Sequence, residues 1–95
     1  MKLVLSKRRA KRLAAGTVFY SEVLGMWYLS LYMVVDGKAA PFGMTPHDNE
    51  ADALSEGNET LKVTDSDWID IEEEEVETYI ATNAKHQWNP SGKDA

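Results

Sequence analysis

Cysteine is absent from the 95 residues. This excludes a disulfide framework and a thiolate metal site, so a fold of this size must rest on its apolar core. Histidine occurs only as His47 and His86. No ligand spacing links them, and they read as surface residues rather than zinc ligands. Neither stands in a pattern that would activate Ser21, Ser30 or Ser55 as a nucleophile. Long apolar runs are missing too. The longest uncharged stretch, residues 23–35, has 13 residues, short of the roughly 20 that a membrane helix needs. A secretory leader puts its charges ahead of an apolar run; here Leu3-Val4-Leu5 comes first and the basic residues follow. The expectation is a cytoplasmic chain with one globular domain over residues 1–88 and a loose polar tail over residues 89–95.

Each charge sign is missing from a different part of the chain. The first 21 residues hold Lys2, Lys7, Arg8, Arg9, Lys11 and Arg12 and no acid. Residues 48–77 hold 13 acids against Lys62 alone, within a chain of net charge −6. Such separation produces a field that steers charged partners. Direct nucleic-acid binding is not favoured, because such domains are basic overall and interleave aromatics with their bases.

The core is organised around residues 26–36, Met-Trp-Tyr-Leu-Ser-Leu-Tyr-Met-Val-Val-Asp. Strand alternation places Trp27, Leu29, Leu31, Met33 and Val35 on one apolar face and Tyr28, Ser30, Tyr32 and Val34 on a mixed one. This reads as the central strand of an antiparallel sheet, with Trp27, Leu29 and Leu31 buried. Residues 17–23 also alternate and predict a hairpin partner across Gly25. Asp36-Gly37 predicts a type I′ turn into a short strand over residues 38–40, with Pro41 ending central pairing.

Helices are expected at both ends of the chain. Ser6 is a suitable N-cap and Gly16 a suitable stop for a helix over residues 7–15, which are strong helix formers. Val76, Tyr79 and Ile80 share a helical face and predict a helix over about residues 70–85. Between them, residues 46–54 read as a short helix capped by Thr45, and residues 60–64 as an edge strand. Trp88 is expected to tuck against the domain. The fold class is α+β, a small antiparallel sheet of roughly three to five strands with an N-terminal and a C-terminal helix.

No stretch spells out a reaction, a cofactor motif or a metal site. Asp48, Glu50, Asp52, Glu56 and Glu59 match oxygen-ligand positions of a calcium loop, but Ala53 stands where its sharp turn needs glycine. The strongest feature is the acidic segment with Asp65, Asp67, Asp70, Glu72, Glu73, Glu74, Glu75 and Glu77. One reading is a solvated helix start. The other is a partner surface whose carboxylates imitate phosphates for a protein built to bind nucleic acid. Tyr28, Tyr32 and Trp68 are the aromatics expected to contact a ligand or partner.

A short acidic α+β chain with no catalytic kit resembles, in style, small phage antagonists of host defence, such as anti-CRISPR and anti-restriction proteins. Three fragments also resemble a phage family that sequesters the cyclic-nucleotide signal of Thoeris immunity. They are Leu13-Ala-Ala-Gly16-Thr-Val18, residues 28–35 with Asp36-Gly37-Lys38, and Asp67-Trp68-Ile-Asp-Ile71. Thr17 stands where that family has lysine. The resemblance implies a non-enzymatic inhibitor of a host protein or defence complex, acting in the host cytoplasm. The alternatives are a sponge for a nucleotide signal, with Tyr28 and Trp68 at its site, and a structural or assembly subunit.

Overall fold

The computed structural model describes residues 1–8 and 12–85. Five strands form one sheet: β1 (Lys2–Leu5), β2 (Ala15–Ser21), β3 (Met26–Val35), β4 (Lys38–His47) and β5 (Ile69–Asp70). Their order is β4-β3-β2-β1-β5, and every neighbouring pair is antiparallel. Two helices, α1 (Glu50–Leu61) and α2 (Val76–Asn83), complete the α+β fold. Neither is long and apolar enough to cross a membrane.

The sheet is covered on both faces, and strand alternation decides which residue goes where. Val4, Val18, Leu29 and Leu31 pack toward α1 through Ala53 and Leu61. Leu3, Ala15, Tyr32 and Val34 pack toward α2 through Val76 and Ile80. Leu29 is buried as expected, while Trp27 and Leu31 are half-buried, because α1 covers only the middle of that face. Val34, on the mixed face, is fully buried under α2.

The β3–β4 connection is the predicted turn. Asp36 and Gly37 have φ of 52° and 78°, the left-handed pair that a type I′ turn requires. The strand that follows is much longer than residues 38–40. It runs through Pro41 and Pro46 to His47, with Phe42 bulged out between Pro41, opposite Tyr32, and Gly43, opposite Leu31. β4 is an edge strand, which is where proline is tolerated. Tyr32 C=O accepts from Ala14 N–H on the β2 side, so the Pro41 nitrogen opposite faces outward.

The helix expected over residues 7–15 is not formed by its described residues. Ser6 N–H donates to Ala14 C=O at 2.9 Å, and Ala14 N–H donates to Tyr32 C=O at 2.7 Å. These bonds draw the segment into the sheet, so β2 starts at Ala15. Residues 9–11 lie outside the described residues. Ser6 Oγ accepts from Arg8 N–H at 3.1 Å, a local turn rather than a helix cap.

The middle helix is later and longer than expected. Asn49, not Thr45, is its N-cap, with Oδ1 accepting from Asp52 N–H at 2.9 Å. Glu50 and Asp52 in the first turn suit the macrodipole. The helix runs through Leu61 and ends where Lys62 turns left-handed (φ 59°), which takes the place of the edge strand expected over residues 60–64. Its buried stripe is Ala53, Gly57 and Leu61. Gly57 permits the close approach of Trp68; a Cβ there would lie 2.7 Å from Trp68 Cζ2. The C-terminal helix is shorter than residues 70–85. Residues Ile69–Asp70 pair with β1, Glu73–Glu75 form a 3-10 turn, and only then does α2 begin. Trp88 and the tail over residues 89–95 fall outside the described residues.

A candidate acidic groove beside the end of strand 1

β2 is longer than β1. Pairing of the two stops at Lys2 opposite Val18, while β2 continues through Phe19 and Tyr20 to Ser21 against β3. Ile71, just beyond β5, donates its N–H to Met1 C=O at 3.0 Å. The chain then turns away through Glu72 and the 3-10 turn. A groove of about 780 Å³ opens between the end of β2 and this departing segment. Its apolar wall includes Phe19, Tyr20, Val23 and Trp27, with Tyr20 and Trp27 edge-to-face at 5.5 Å.

Its charged wall carries six carboxylates: Glu22 from the β2–β3 loop, Glu50 from α1, Asp70 from β5, and Glu72, Glu73 and Glu74. Among the described residues lining the groove, Lys2 is the sole basic side chain, and it lies 3.8 Å from Glu50. A pair that exposed is screened by water and neutralises little of the wall. The arrangement concentrates negative potential over an apolar floor, which favours cations on an amphipathic partner.

The acidic residues nominated from sequence therefore divide. Asp70, Glu72, Glu73 and Glu74 meet in the groove. Glu75 and Glu77 are exposed but do not line it. Asp65 and Asp67 serve the fold. Asp65 Oδ1 accepts from Asn58 Nδ2 at 2.6 Å. Asp67 accepts from Thr64 N–H at 2.8 Å and from Lys7 Nζ at 3.1 Å. The Thr64 N–H, with the Lys7 ammonium beside it, holds the Asp67 carboxyl below the ordinary carboxylate value. Sequence reasoning missed Glu22 and Glu50, since only the β1–β2 register and the seat of α1 bring them here.

The nominated aromatics do not share one cleft. Trp68 lies on the α1 face, with its Nε1–H donating to Asn58 Oδ1 at 2.7 Å. Tyr28 lies on the opposite face, stacked on Phe19 with ring centres 5.9 Å apart. Tyr32 packs into the α2 core. Along β4 the sheet carries exposed apolar side chains, with Phe42 60% and Met44 55% exposed.

A second polar cluster joins β4 to α1. Thr45 Oγ1 donates to Glu56 Oε1 at 2.7 Å, and His47 Nε2 lies 2.6 Å from the same oxygen. The Thr45 hydrogen bond holds the Glu56 carboxyl below its ordinary value; slight burial opposes this and His47 assists it. Glu56 and Glu59 are thus helical rather than parts of a calcium loop. Among the described residues no three His, Asp or Glu side chains converge as metal ligands. Another cleft, of about 680 Å³, lies along β1 by Lys7, Tyr79 and Lys85, but Lys7 is already paired with Asp67 there. Comparison with family models, curated proteins and solved structures finds no match for this chain.

Proposed function

We propose that the chain is a non-enzymatic binding protein that uses its acidic groove to occupy the nucleic-acid-binding surface of a larger protein. The simplest setting is a phage-encoded inhibitor of a host protein or defence complex in the host cytoplasm. The observation that carries this reading is the gathering of Glu22, Glu50, Asp70, Glu72, Glu73 and Glu74 from four parts of the chain onto one groove, set against the Lys2 side chain and the Met1 α-ammonium. Lysine and arginine side chains set to meet phosphates would meet carboxylates instead. Reversal of Glu72, Glu73, Glu74 and Glu75 to Lys tests it. These residues are exposed, so the variant folds, while capture of a nucleic-acid-binding protein from bacterial lysate is lost. Captured partners are released by added DNA and by high salt. Partners retained by the reversed variant would sink this reading.

The nucleotide-sponge alternative needs Tyr28 and Trp68 around one base, and the sheet lies between them. An assembly role has one observation in its favour, the uncovered apolar area around Phe42 and Met44. Sedimentation of the purified protein distinguishes it, because an assembly subunit self-associates through that face and a monomeric inhibitor does not.

A further inference from the structure

The outer edge of β1 has a gap. Ser6 N–H turns inward to Ala14 C=O, while Lys7 N–H turns outward to Leu61 C=O at 3.0 Å. Backbone groups alternate sides along a strand, so Leu3, Leu5 and Lys7 all face outward. Leu3 is paired with Ile69 of β5, and Lys7 is taken by Leu61. Leu5 lies between them without a strand partner on that side. The register would put Asp67 opposite it, but Asp67 N–H donates to Thr64 C=O at 3.0 Å in a 3-10 turn. Among the described residues, no backbone group is bonded to the outward N–H and C=O of Leu5. Leu5 is half-buried and lines the cleft of about 680 Å³ along β1. Backbone groups drawn out of bulk water need a partner, and here the cleft has to supply it.

We infer that this cleft is a binding site for an N-acylated α-amino acid carboxylate with an apolar side chain, either free or as the last residue of a peptide. The site is separate from the acidic groove. The gap is closed by Ile69 at one end and by the Lys7–Leu61 bond at the other, so it suits a single residue rather than a strand. Residues that face each other in a hydrogen-bonded antiparallel pair exchange both bonds. Leu5 C=O thus accepts from the ligand's amide N–H, and Leu5 N–H donates to its carboxylate. Charge selects the acid. The charged side chains of the described lining are Lys7, Lys85 and Asp67. Asp67 is held by Lys7 Nζ at 3.1 Å, and among the described residues no carboxylate pairs with Lys85. One ammonium is left for one carboxylate. A zwitterionic amino acid would bring a further ammonium against it, so the nitrogen is best acylated. A side chain opposite Leu5 shares its face. There it meets Ile69, 39% exposed, and Tyr79. A branched aliphatic group suits that wall.

The probe is N-acetyl-leucine, compared with its carboxamide, with its N-methyl derivative and with a short peptide ending in leucine. Titration of the full chain, followed by nuclear magnetic resonance, is expected to show saturable millimolar binding that shifts the Leu5 amide resonance. The carboxamide and the N-methyl derivative should each bind about tenfold more weakly, the first for its lost charge and the second for its lost hydrogen bond. Lys85→Gln should weaken N-acetyl-leucine about tenfold and leave the carboxamide unchanged. Lys85 is exposed, so the variant keeps its fold, and its unliganded spectrum reports this. A peptide that binds tighter than N-acetyl-leucine identifies a peptide end as the ligand, and equal binding identifies the single residue; either upholds the site. The inference is overturned if neither saturates by about 10 mM, if the Leu5 amide does not move, or if Lys85→Gln binds N-acetyl-leucine as the parent does.

Discussion

Thr17 is fully buried in the sheet, and its Oγ1 has no hydrogen-bond partner. A buried hydroxyl left in that state costs about 1–3 kcal/mol. Thr17→Val keeps the shape and removes the hydroxyl, so it is expected to raise stability by about 1 kcal/mol, read as a higher urea midpoint. Glu56 gives a prediction in pH. Its folded pKa lies below the ordinary 4.5, so the group stabilises the fold above that value and the contribution is lost as pH falls through the folded pKa. Asp67 acts in the same sense. Glu56→Gln should therefore be less stable than the parent at neutral pH, and the gap should close below pH 4.5 in urea melts. Some residues declared these roles in sequence. Asp36-Gly37 did, because positive φ at two successive positions has few chemical solutions. Gly57 did not: a glycine inside a helix signals only weakness until Trp68 is seen lying against it.

At the scale of elements, β3 was legible because its alternation is long and uninterrupted, and the turn after it has its own chemistry. Its burial still followed the helices that cover it. Leu29→Ala should cost about 2–5 kcal/mol, and Leu31→Ala clearly less, since only Leu29 is fully enclosed. Equal losses in denaturant melts would refute the placement of α1. The helix expected over residues 7–15 failed for a general reason. Propensity is worth tenths of a kcal/mol per residue, and sheet bonds at Ala14 with burial of Leu13, Ala14 and Ala15 outweigh it. α1 was misplaced because small residues make up much of its buried stripe, so its hydrophobic periodicity is faint. The acidic start of α2 read as helix from local charge, but pairing with β1 claims Ile69 and Asp70 first.

At the scale of the whole molecule, the acidic excess was plain in the sequence, but its gathering into a groove was not. Strand order β4-β3-β2-β1-β5 sets Asp70 and the segment after it beside β1, near the end of β2, and that order arises from pairing between distant segments. The same topology leaves β4 as a ten-residue outer strand. Pro41 and Pro46 sit along it where their missing N–H groups interrupt the outward row of donors. Phe42 and Met44, the kind of side chains that would glue copies together, lie between them. A double variant, Pro41→Thr with Pro46→Thr, restores the row. It is expected to form thioflavin-positive fibrils at concentrations where the parent stays clear in light scattering. The two prolines thus act as a guard on the sheet border: they break the row of donors along which a second copy of β4 would dock beside Phe42 and Met44.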